Sequence, residues 1–121
     1  LEEAFEEAAI ALTEIITDTD KIEPKEEVNV VIESEDREAL LFDWLDHFLY
    51  LQDGEGFVAS KFEVDEIVET EEGFKLTGRA WGEQFDPGRH GIGTEVKAIT
   101  YHMMEIEIGE DECSVQVVVD I

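Results

Sequence analysis

Between Leu40 and Leu49 the residues Leu40, Leu41, Trp44, Leu45, Phe48 and Leu49 recur three and four apart and give a helix with an unusually broad apolar face. It is the most hydrophobic helix this chain can make, so it is expected at the centre of the core, with the other elements packed around it. Ser34 or Asp36 supplies its N-cap, and Gly54 or Gly56 ends it. At 121 residues the chain forms one domain and can bury roughly two-thirds of the surface its unfolded form exposes.

The flanking segments have weaker but readable periods. Leu1, Phe5, Ala8, Ala9, Leu12, Ile15 and Ile16 predict an amphipathic helix that stops near Thr17-Asp18-Thr19-Asp20, whose side chains compete for backbone hydrogen bonds. Val28, Val30 and Ile32 alternate as a strand. Phe57 to Val68 and Phe74 to Trp81 read as two strands joined at Glu71-Glu72-Gly73, with Ile67 out of phase. Residues 82–94 contain Gly82, Pro87, Gly88, Gly91 and Gly93 and read as one long loop. Residues 95–108 and 113–121 read as a final strand pair. The predicted class is α+β, with two helices packed against a mostly antiparallel sheet. Trp44 and Trp81 are both assigned to the core. The chain opens on Leu1 already inside a helical pattern, so a segment preceding it is expected.

Charge narrows the function. Eight basic residues against 33 acidic ones give a net charge of −25. Such a surface repels phosphate backbones and anionic membranes. Acids occur in nearly every segment, which favours adaptation to a salty cytoplasm over an acidic face built for one basic partner. A single cysteine, Cys113, excludes an internal disulfide and reads as a buried strand thiol. No apolar run is long enough to span a membrane. A cytosolic protein is expected.

Few groups could carry chemistry. Asp120-Ile121 follows Val115-Gln116-Val117-Val118-Val119. A chain that ends on a strand sets the Asp120 side chain beside the terminal carboxyl of Ile121, and paired carboxylates suit a hard divalent cation. The plainer reading is an acidic strand end. Lys97 is one of only five lysines. Alternation places it with Glu95, Ile99 and Tyr101, opposite Val96, Ala98, Thr100 and His102. It either pairs with a neighbouring acid or contacts an anion. His47 reads as a surface or half-buried helix residue. His90, in the glycine-rich loop, could switch near neutral pH or contact a ligand. Asp43 could reach the edge of the core. No zinc spacing, nucleophile elbow, Walker loop or dinucleotide fingerprint is present, so no motif supports an enzyme.

Four segments in order, 1–9, 40–45, Glu95-Val96-Lys97-Ala98-Ile99-Thr100-Tyr101-His102 and Val118-Val119-Asp120-Ile121, resemble the archease family along essentially the whole chain. The resemblance implies a non-enzymatic activator of the RtcB-type tRNA-splicing ligase that promotes ligase guanylylation and repeated turnover. An alternative role is that of a chaperone for a tRNA cytosine methyltransferase. It also implies a divalent cation, Ca²⁺ first with Mg²⁺ or Mn²⁺ as alternatives, held by Asp120, Ile121 and an Asp on a preceding strand. The family lysine implicated in activity maps to Lys97. Glu95 and His102 of the same block, with Asp43 and Asp120, complete the candidate partner-facing set. The family's first strand, carrying a His-Thr-Ala-Asp-Ile-Gly-like motif, would precede Leu1.

Self-repulsion at this charge density opposes compaction until salt screens it. Thermal stability is therefore expected to rise steeply from low to molar potassium chloride. A flat melting temperature across that range would contradict the reading.

Overall fold

A computed structural model describes residues 1–121. Helix α1 (Glu2–Ile16) and a 3₁₀ turn (Thr19–Lys21) precede strand β1 (Glu26–Ser34), helix α2 (Arg37–Glu55), and strands β2 (Phe57–Thr70) and β3 (Gly73–Gln84). A short helix α3 (Pro87–His90) leads to β4 (Ala98–Ile99), β5 (Glu105–Ile108), β6 (Cys113–Gln116) and β7 (Val119–Asp120). The α+β class holds, and every strand pair is antiparallel. No helix is long and apolar enough to cross a membrane.

The breadth of the apolar face on α2 now has its reason. The three-stranded sheet, in the order β1-β3-β2, packs against α1 and α2, while β4 and β5 lie against α2 and β6 lies against α1. The ribbon made by β4 to β7 comes near no strand of the sheet, so the helices form a middle layer with a neighbour on either side. Leu40, Leu41 and Trp44 have no exposure at all. The Trp44 indole N–H donates to the Phe5 carbonyl at 2.9 Å, which ties α2 to α1 and satisfies a buried polar group. Asp36, of the two candidate caps, accepts the Ala39 N–H. Gly56, at φ 68°, takes the left-handed position that closes α2.

The phase change near Ile67 is a β-bulge. Register shifts fall between Ala59 and Lys61 and between Val64 and Glu66. Each bulge lies beside a glycine of β3: Gly82 faces Ala59 and Gly78 faces Val64. A Cβ on Gly82 would lie 1.9 Å from the Val58 carbonyl oxygen, and one on Gly78 would lie 2.7 Å from that of Glu63. The glycines let the bulged strand press in. Acids of α1 serve the same strand, for Glu6 and Glu2 accept the N–H groups of Val64 and Ile67.

Four expectations are corrected. Residues 82–94 are not one loop. β3 runs on to Gln84, and Asp86 then caps α3, with Pro87 at its start. Trp81 is not core. It lies half-buried on the outer sheet face, with the Lys61 and Arg79 cations 4.7 and 5.2 Å from its ring. Cys113 is half-buried rather than buried, and Val115, Val117 and Val119 are likewise only half-buried. They face the outer side of α1 across an apolar trench of about 500 Å³.

The fourth correction concerns the last strand pair. Ile99 faces Val119, but Glu105 faces Gln116. Six steps along one strand therefore match three along the other, and residues 101–104 loop out of the ribbon. The alternation assigned to residues 95–102 fails as well, because only Ala98–Ile99 is strand: residues 95–97 precede it and the turn follows at 101. Val96 and Ile99 are buried, whereas Lys97, Tyr101 and His102 are all exposed.

Gly82→Ala is expected to cost about 3 kcal/mol or more, because both obstructing groups are backbone. Gly54→Ala, whose new methyl meets only the Tyr50 ring at 3.4 Å, should stabilise by about 0.5–1 kcal/mol. Denaturant unfolding of the two variants checks the contrast.

Candidate functional site

The β4–β7 ladder sets the geometry of the chain's last residues. Ala98 pairs with Asp120, and the Lys97 N–H donates to the Asp120 carbonyl at 2.7 Å. One step further, both the N–H and the hydroxyl of Thr100 donate to the Val118 carbonyl. Asp120 is thus held by backbone pairing rather than by burial of the valines before it. Glu95, Lys97, Asp120 and Ile121 all reach solvent. No ion pair involves Lys97, so its ammonium stands uncommitted at the surface in a chain rich in acids, one residue before the Ala98–Asp120 pair.

The remaining candidates gather at the looped-out turn. Tyr101 lies flat on Phe42 of α2, with ring centroids 4.5 Å apart and planes 8° from parallel. Asp43, next to Phe42, accepts the Ser34 hydroxyl at 2.6 Å and adds its charge to that of Asp36 and Glu35 around Tyr101. Burial first, and then these three carboxylates, raise the Tyr101 pKa above its ordinary value, so the phenol stays neutral. His102 is exposed at the turn's corner. The candidates therefore lie in two places: Lys97 and Asp120 on paired backbone, and Asp43 of α2 near Tyr101 of the looped-out turn, whose corner carries His102.

Carboxylate oxygen is the right donor type for a hard cation, and Asp120 offers it at the surface. A Ca²⁺ shell takes six to eight oxygens. No group of three or more His, Cys, Asp or Glu side chains is placed to hold a metal ion. Completing a shell at Asp120 requires oxygens beyond the side chains of this chain.

Sequence reasoning missed a buried polar cluster. The Glu83 carboxylate accepts the Glu23 N–H at 2.6 Å and is held by the Arg89 guanidinium. His90 Nε2 lies 3.2 Å from it. His90 Nδ1 accepts the Asp86 N–H at 2.9 Å, which leaves the ring proton on Nε2, pointing at Glu83. His90 is 1% exposed with both nitrogens engaged, so in this conformation it contacts no ligand. The cluster pins the segment after β3. Gly93 and Thr94 then donate to the carbonyls of Ile16 and Ile15, which α1 leaves without helical partners. His47 is the half-buried helix residue expected, edge-on to Phe48. Burial lowers its pKa, opposed by the charges of Glu55 and Asp46.

Comparison with known proteins gives the family. The sequence profile of the Archease protein family (MTH1598/TM1083) matches residues 1–121. The chain belongs to the archease family. It is 50% identical over 107 residues to protein archease of Pyrococcus abyssi, covering 88% of this chain and 75% of that one. It is 47% identical over 121 residues to protein archease of Methanothermobacter thermautotrophicus, covering 100% of this chain and 85% of that one. The solution structure of Methanobacterium thermoautotrophicum protein 1598 superposes with a TM-score of 0.74 at 42% identity, over 97% of this chain and 84% of that one.

The Glu23 N–H, with help from His90 and Arg89, lowers the Glu83 pKa from 4.5 to about 2. A carboxylate with a depressed folded pKa stabilises the fold above its unfolded pKa, and that contribution is lost as pH falls toward the folded value. Between pH 4.5 and about 2 the wild type should therefore lose more stability than Glu83→Gln. Parallel acid limbs in urea unfolding would contradict this assignment.

Proposed function

We propose that this archease is a non-enzymatic activator of an RtcB-type tRNA-splicing ligase that promotes ligase guanylylation and repeated turnover. The observation that carries the reading is Lys97, exposed and without an ion pair, whose backbone N–H bonds to the Asp120 carbonyl and so fixes both residues on paired backbone. The uncommitted cation can meet a phosphate or nucleotide of the partner, and the Asp120 carboxylate can approach a metal or a basic group. The charge of −25 supports a basic, RNA-binding partner, because complementary fields speed encounter, and it argues against direct binding of nucleic acid. The protein acts in the cytoplasm.

A divalent cation, Ca²⁺ before Mg²⁺ or Mn²⁺, belongs to the same proposal. Asp120 and the carboxyl expected at Ile121 would contribute oxygens. A segment preceding Leu1 would supply another, and the apolar trench between α1 and Val115–Val119 offers such a segment a place to pack. The ion would neutralise the clustered carboxylates and orient them toward the partner. The same trench favours a second reading, a chaperone for a tRNA cytosine methyltransferase, since that role needs exposed apolar surface.

The test is guanylylation of the cognate ligase at high salt. Wild-type protein should accelerate it, and Lys97→Ala and Asp120→Asn should abolish the acceleration while melting as wild type does. Calcium titration by calorimetry should show binding that Asp120→Asn weakens at least 10-fold. Undiminished stimulation by both variants removes the activator mechanism. Suppression of methyltransferase aggregation that survives Lys97→Ala would favour the second reading.

A further inference from the structure

The ribbon loops out residues 101–104 opposite the single residue Val117. The turn is also strained. Met103 has φ 53°, the only non-glycine residue with positive φ in the chain, at a position where glycine or asparagine is the usual choice. Three contacts nevertheless hold it in place. The Met104 N–H closes the turn onto the Tyr101 carbonyl, the Gln116 side-chain amide donates to the Met103 carbonyl at 2.8 Å, and Tyr101 stacks on Phe42. The result is a braced turn that displays Tyr101, 55% exposed, and Met103, 63% exposed. Its base is Thr100, only three residues from Lys97.

We propose that the looped-out turn Tyr101–Met103 is the anchor by which this protein docks into an apolar pocket, rimmed by Lys and Arg, on its protein partner. A pre-ordered aromatic ring and a thioether bury large apolar area with little ordering cost, as interface anchors do. Charge complementarity selects the pocket's rim, because Glu35, Asp36 and Asp43 surround the tyrosine. The same acids repel a phosphate backbone, and they repel a second copy of this chain, which carries them too. The inference rests on the activator reading: Lys97 and Asp120 act on the partner, and the turn holds them there.

Binding of full-length cognate ligase to the full chain, measured by calorimetry at high salt, tests it. Tyr101→Ala should weaken binding about 30-fold or more. Met103→Gly relieves the strained backbone, so it should raise the melting temperature by about 3–5 °C while weakening binding, which separates lost docking from lost folding. Tyr50→Ala, at an equally exposed aromatic residue on α2, should bind as wild type does. Lys97→Ala should bind yet fail to stimulate. Wild-type affinity in both Tyr101→Ala and Met103→Gly overturns the docking assignment and leaves the activator reading standing. Failure of the wild-type chain to bind or stimulate the ligase overturns both.

Discussion

Burial of α2 on two sides governs the architecture. A helix facing only a sheet needs one apolar stripe, but here the stripe widens until Leu40, Leu41, Trp44, Leu45, Phe48 and Leu49 are all buried. That width lets a ribbon pack against the helices opposite the sheet. The Trp44 indole bond to the Phe5 carbonyl locks the two helices together, and it leaves no buried donor unpaired at their contact. Losing the indole would cost about 3–5 kcal/mol, much of a small domain's net stability. The candidate site depends on this indirectly. Its ribbon is thin and half-exposed, and it owes its position to Ile99, Val96 and the Phe42–Tyr101 stack against α2.

The ribbon divides its length between two tasks. Next to Asp120 it pairs tightly, which places a lysine and a carboxylate on adjacent strands. Further along, it gives up pairing and extrudes a turn. Local strain retained in an exposed, braced turn points to a constraint other than stability. The acids follow a related division. Glu83, Glu2 and Glu6 are consumed by backbone donors inside the fold, whereas Glu35, Asp36 and Asp43 set the field around Tyr101.

Sequence legibility followed the strength of the hydrophobic period. Both long helices and their ends were readable, because Asp36, Gly56 and the Thr-Asp run after Ile16 are direct backbone signals. The three-stranded sheet was readable apart from its bulges. Those are written in β3, where Gly78 and Gly82 sit beside them, and not in the strand that bulges. The register slip in the ribbon was not legible. Tyr101-His102-Met103 contains no glycine, proline or asparagine, so it reads as a continued strand. Glu83 was hidden among 33 acids, and its role exists only because Glu23, 60 residues away, meets Arg89 and His90 of the following turn on it. Lys97 was legible as a rare cation, but the absence of an ion pair required coordinates.

The candidate site depends on one backbone contact, the Lys97 amide bonded to the Asp120 carbonyl. Amide hydrogen exchange by NMR at high salt reads it directly. The account predicts a Lys97 amide protected well above the level of an open loop, with a through-hydrogen-bond coupling to the Asp120 carbonyl carbon. A Lys97 amide exchanging at the rate of an unstructured chain, with no such coupling, would contradict it.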